Sequence, residues 1–98
     1  MRFEFSAEIW VFAAEKASWR FVTVPKDISA GIRRLVPRQG PGFGTVRVTA
    51  LIGETAWKTS LFPDSKRGAF VLPIKAEVRR KQKLQDGAET HVALELDF

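Results

Sequence analysis

The side chains best suited to chemistry in this sequence are cations set at regular intervals. Lys75, Arg79 and Lys83 recur at every fourth residue, a spacing that on an α-helix gives one continuous cationic stripe. Such a stripe can follow a row of phosphates, and like charges at that spacing cost only a few tenths of a kcal/mol per pair, about 0.2–0.5. A second group is Trp57-Lys58-Thr59-Ser60, an aromatic ring, a cation and two hydroxyls in succession. On a strand, alternation sets Lys58 and Ser60 on one face and Trp57 and Thr59 on the other. An anion site there uses Lys58 and Ser60 with Arg47 from a neighbouring strand, while Trp57 fills the core.

Other chemistries find less support. Serine-type nucleophilic catalysis needs a histidine base held by a carboxylate, and the one histidine, His91, lies between Thr90 and Val92, where alternation turns it to solvent with Glu95 and Asp97. No catalytic residue is expected. Without cysteine, and with scattered carboxylates, no metal site and no cofactor are expected either. Glu4 and Glu8 read as solvating residues on the outer face of a first strand. The glycines of Gly40 to Gly44 lack the lysine-serine continuation and following helix of a phosphate-binding loop, and read as a bend before a strand.

These residues need elements to position them. Phe3, Phe5, Ala7, Ile9, Val11 and Ala13 alternate with Arg2, Glu4, Ser6 and Glu8, which predicts one long strand over residues 3–13. Trp10 and Phe12 interrupt its polar side. They mark a second apolar face and a candidate interface. Residues 19–24 predict a hairpin partner ended by Pro25, and a helix follows over residues 28–35, with Asp27 as its cap and Ile28, Ile32, Leu35 and Val36 as its stripe. Residues 37–44, with three glycines and two prolines, read as a loop. Val46, Val48, Ala50 and Ile52 then alternate, and Gly53-Glu54-Thr55 turns the chain into a strand through Trp57, Thr59 and Leu61. A short strand over 69–72 precedes a basic helix opened by Pro73, which carries Ile74, Val78 and Leu84 and ends before Asp86-Gly87. Thr90, Val92, Leu94, Leu96 and Phe98 form one face of a closing strand. Phe3, Phe5 and Phe21 are assigned to the core, and Trp10, Phe12 and Phe43 are the aromatics expected at the surface.

With 98 residues there is room for one domain, residues 1–98, and the composition, 45% hydrophobic and 28% charged, is that of a globular chain. No apolar run approaches a membrane span, Glu4 falls where a signal peptide would be apolar, and cysteine is absent, so a cytoplasmic protein is expected. Sixteen basic residues against eleven acidic ones give a net charge of +5, which favours anionic partners. About six strands and two short helices predict a mainly β fold, a small closed or nearly closed antiparallel β-barrel.

The order of motifs is similar to a family of small prokaryotic β-barrel domains catalogued as a domain of unknown function, found alone or fused to a bacteriocin-protection-type domain. The resemblance runs through Trp10, Trp19-Arg20-Phe21-Val22-Thr23-Val24-Pro25, Gly42-Phe43-Gly44-Thr45-Val46-Arg47-Val48 and Ile52-Gly53. It continues in Trp57-Lys58-Thr59-Ser60-Leu61-Phe62-Pro63, Phe70-Val71-Leu72-Pro73-Ile74-Lys75, Val78-Arg79 and Asp86-Gly87. Ala88 and Glu89 depart from it, where members often carry another acid and a valine. The resemblance implies a compact closed barrel and no particular reaction.

The function expected is therefore a non-catalytic binding module that holds an anionic ligand or nucleic acid, with the basic helix as its main surface. The alternative is a self-associating structural or interaction domain that pairs with itself, as a homodimer, or with another domain through Trp10 and Phe12. An enzyme or carrier would instead need an open cavity of several hundred Å³ holding Lys58 beside a buried carboxylate.

Overall fold

The computed structural model describes residues 1–36 and 44–97. The alternation at the N-terminus forms β1 (Arg2–Glu8), which buries Phe5 and leaves Arg2, Glu4, Ser6 and Glu8 exposed. It pairs antiparallel with the last strand, Phe5 opposite Val92. At Ile9, buried to 1% exposure, the Ile9 amide donates to the Ala88 carbonyl (2.9 Å) and the Gly87 amide to the Ile9 carbonyl (2.8 Å). Beyond this point the chain becomes β2 (Trp10–Ala14), which pairs with β3 (Ala17–Thr23), Phe12 opposite Trp19. The single long strand expected over residues 3–13 is thus two strands bonded to different neighbours.

β4 (Val46–Ile52) and β5 (Thr55–Asp64) form the second hairpin. Its turn favours glycine. Gly53 has φ 57°, and the Gln82 side chain, which donates to Thr55 Oγ1 at 2.8 Å, occupies the space a Cβ would take. β6 (Ala69–Pro73) and β7 (Glu89–Leu96) complete one antiparallel sheet in the order β1-β7-β4-β5-β6-β3-β2. The expectation of a closed six-stranded barrel is corrected to an open, curled half-barrel of seven strands, because β1 and β2 end the sheet without pairing to each other. Its interior holds Val22, Val48, Ala50, Leu61, Phe70, Leu72, Val92 and Leu94. Among the described residues no helix is long and apolar enough to cross a membrane.

Helix α1 (Lys26–Leu35) lies against β6 and starts two residues earlier than the stripe indicates. Pro25 occupies the N-cap without any side-chain cap. Asp27, expected to cap, sits inside the first turn, where its charge favours the helix dipole. The helix is seated by buried Ser29, whose Oγ donates to the Val24 carbonyl (3.1 Å) and accepts from the Phe70 amide (3.0 Å).

Helix α2 (Ala76–Lys81) has only six residues. Lys83 lies beyond it with φ 52°. The Lys83 amide bonds to the Arg80 carbonyl (3.3 Å) and the Leu84 amide to the Arg79 carbonyl (2.9 Å), the paired bonds of a left-handed helix stop. Leu84 packs on the core as the apolar partner of that stop. The stripe of Lys75, Arg79 and Lys83 therefore does not form: Lys75 is the N-cap, Arg79 is helical, and Lys83 is past the end. A lysine in this conformation costs roughly 1–2 kcal/mol, and glycine gives back about 0.5–1 kcal/mol of that in backbone entropy. Lys83→Gly should accordingly stabilise the fold by up to about 1 kcal/mol, read as a higher urea midpoint at unchanged slope.

Candidate anion-binding groove

Inward alternation on β5 buries Trp57 (8% exposed) and Leu61, which turns Lys58, Ser60 and Phe62 to the face of the sheet away from the core. Register brings Arg47 of β4 opposite Ser60, and Arg47 Nη1 donates to Ser60 Oγ at 3.1 Å. On the same face Val71 of β6 stands opposite Phe62, and Pro73 opposite Phe21 of β3. A groove of about 600 Å³ runs over these residues, with Phe12 and Trp19 also in its wall.

A second concavity of about 330 Å³ adjoins it. It opens because β6 pairs with β5 only through residues 62–64, and after Pro73 the chain turns into α2, so the first halves of β3 and β5 part. Arg20, Lys58, Lys75 and Arg79 line this notch, with Ser18 and Trp19 beside them. Trp19, Lys58, Thr59 and Pro73 belong to both hollows, so Lys58 stands at their junction.

The charges here are of one sign. Five cations line the two hollows and, among the described residues, no carboxylate does. Arg20 is held by Asp86 from outside, Nε to Oδ1 at 3.0 Å and Nη2 to Oδ2 at 3.1 Å, and Arg79 Nε donates to the Ile74 carbonyl (3.2 Å). Among the described residues, the Lys58 side chain makes no ion pair or hydrogen bond. Its ammonium is left to solvent or to a ligand.

The candidates read from sequence thus divide. Arg47, Lys58 and Ser60 meet in the groove, Lys75 and Arg79 meet Lys58 in the notch, and Lys83 lines neither hollow. Trp10 and Phe12, expected as an interface, share the outer face of β2 but differ in exposure, Trp10 being partly buried and Phe12 exposed. The Trp10 indole donates to Thr23 Oγ1 (2.9 Å), its ring lies 5.0 Å from Phe21, and the Arg67 guanidinium stacks over it at 3.7 Å. Phe12 is 53% exposed in the groove wall. Phe21, assigned to the core, lies instead on the outer face, only partly buried. Trp19, 54% exposed, and Arg20 join the site in addition to the residues that the sequence predicts. The available signal was parity, since Val22 and Val24 face inward and period two then sends Phe21 and Trp19 outward. Gly40, Gly42 and Phe43 fall among residues 37–43, and Phe98 also lies outside the described residues.

His91 is exposed, as alternation predicts, but has partners. Its Nε2 lies 2.9 Å from Glu4 Oε1 and its Nδ1 3.4 Å from Ser6 Oγ. The hydrogen bond from His91, then the charge of Arg2, holds the Glu4 carboxyl below its usual range. The cluster stands on the open surface of β1 and β7, outside both hollows.

Arg20 likewise depresses the Asp86 carboxyl, chiefly by hydrogen bonding and then by charge. A carboxylate with a depressed folded pKa adds stability that is fully present above the ordinary aspartate value, about 4, and is lost as pH falls through the folded value. Asp86→Asn should therefore be less stable than the native chain at neutral pH. The difference between their thermal midpoints should close as pH drops below about 4, as a scan of midpoint against pH would show.

Fold and surface define a small, mainly β protein with one open antiparallel sheet and two short helices. Within that class the chain belongs to the family described as Domain of unknown function (DUF1905), which it matches over residues 5–94. No curated protein matches it.

Proposed function

We propose that this 98-residue chain acts as one cytoplasmic, non-catalytic binding module that holds an anionic ligand in the groove and notch around Lys58. The observation that carries this reading is the meeting of two hollows at an unpaired lysine, with four further cations in their walls and no described carboxylate. Desolvating an anion is offset only where donors converge, and here Lys58, Arg47, Ser60, Lys75 and Arg79 supply them from three elements. The surface is the sheet face with the N-terminal end of α2, rather than a long basic helix. The groove has the volume an enzyme would need and Lys58 within it, yet lacks the carboxylate of an acid-base pair among the described residues.

Titration with inorganic polyphosphate at low salt tests the reading, which requires saturable binding that weakens as salt rises. A second reading is favoured by Phe12, Trp19 and Phe62, all more than 40% exposed on one face: self-association through that apolar patch. Mass measured against protein concentration separates the two.

A further inference from the structure

We propose that the anion is single-stranded nucleic acid, with unpaired bases stacked on Trp19, Phe12 and Phe62 and the phosphates held by Arg47, Lys58 and the notch cations. This rests on the anion-binding reading of the same groove. Three aromatic rings are exposed on a sheet face that otherwise carries the cations, at 54% for Trp19, 53% for Phe12 and 43% for Phe62. Exposing that much aromatic surface beside unpaired charge is unfavourable for a free protein and suits a ligand that is both flat and anionic.

The arrangement is extended rather than enclosed. Phe12 stands opposite Trp19 across β2 and β3, Phe21 opposite Pro73, Val71 opposite Phe62, and Ser60 opposite Arg47, so the face spans five strands from β2 to β4. Four strand spacings make about 19 Å, room for several linked nucleotides rather than for one base. A duplex keeps its bases stacked inside and could use only the cations, whereas unpaired bases also use the rings. An acidic protein segment would satisfy the cations but leave the three rings without flat partners.

The test uses labelled oligothymidylate and oligouridylate of about ten nucleotides, a duplex of the same length, and inorganic polyphosphate. Both single strands should bind at low salt, and Trp19→Ala should weaken them by about 5- to 150-fold, the fold-change of losing one stacked base. Polyphosphate, which has no bases to stack, should lose far less affinity in the same variant than the single strands do. Because Trp19 is exposed, the fold should survive the change, which far-UV circular dichroism checks. Single strands that do not bind while polyphosphate does would overturn this proposal and leave the anion-binding reading standing. Failure of every probe would overturn both. Binding of single strands indifferent to Trp19→Ala, or a native dimer that Trp19→Ala converts to monomer, would each overturn the stacking proposal.

Discussion

Phe70→Ala should destabilise the protein by about 3–5 kcal/mol, a large part of the roughly 5–15 kcal/mol that a domain of this size possesses. Phe70 is fully buried on β6, between β5 and β3, and its ring carries the Arg33 guanidinium 5.4 Å above it. Its amide donates to Ser29 Oγ, the atom that also ties α1 to the Val24 carbonyl. Truncation removes the largest fully buried side chain among the described residues, at the point where the helix meets the sheet. The thermal midpoint should fall by more than about 12 °C, given about 4 °C or more per kcal/mol for a chain of this length. Phe62→Ala, on the outer face of the adjacent strand, should change stability by no more than about 0.5 kcal/mol. A loss below about 1 kcal/mol for Phe70→Ala would mean that α1 is not seated on β6 as described.

Lys58→Glu should do the reverse, leaving stability within about 0.5 kcal/mol while abolishing most anion affinity. Lys58 is exposed and has no partner among the described residues to lose. Removing a charge-assisted contact costs about 1.5–3 kcal/mol, roughly 10- to 150-fold in affinity, and the introduced carboxylate adds repulsion at the junction of both hollows. Lys83→Gly provides the contrast, since Lys83 terminates α2 and lines neither hollow, and its anion affinity should stay native.

Much of this architecture could be read from alternation. Val46, Val48, Ala50 and Ile52 announce β4, and the same rule places Trp57 inside and Lys58 outside on β5. It failed at Ile9, where the inward residue that continues the pattern of β1 is also the point at which the chain changes partners. A period of two carries no record of which neighbour a strand bonds to, so one strand was expected where there are two. The end of α2 was hidden for a different reason. Lys83 gives no glycine signal, and the Leu84 that continues the apolar stripe is in fact the apolar contact of the helix stop. The Arg47, Lys58 and Ser60 cluster was legible because pairing of adjacent strands brings it together. The notch was not, since it exists only where β6 leaves the space between β3 and β5. Phe21 falls on the outer face rather than in the core because Val22 and Val24 set the inward parity of β3.

The central claim is that an anion is held at Lys58, and the most direct measurement is the affinity for polyphosphate across a salt series, in the native protein and in Lys58→Glu. The account predicts saturable binding at low salt, a linear fall of log affinity with log salt, and loss of at least about tenfold in the variant at fixed salt. No binding at low salt, or binding that Lys58→Glu leaves unchanged, would contradict it.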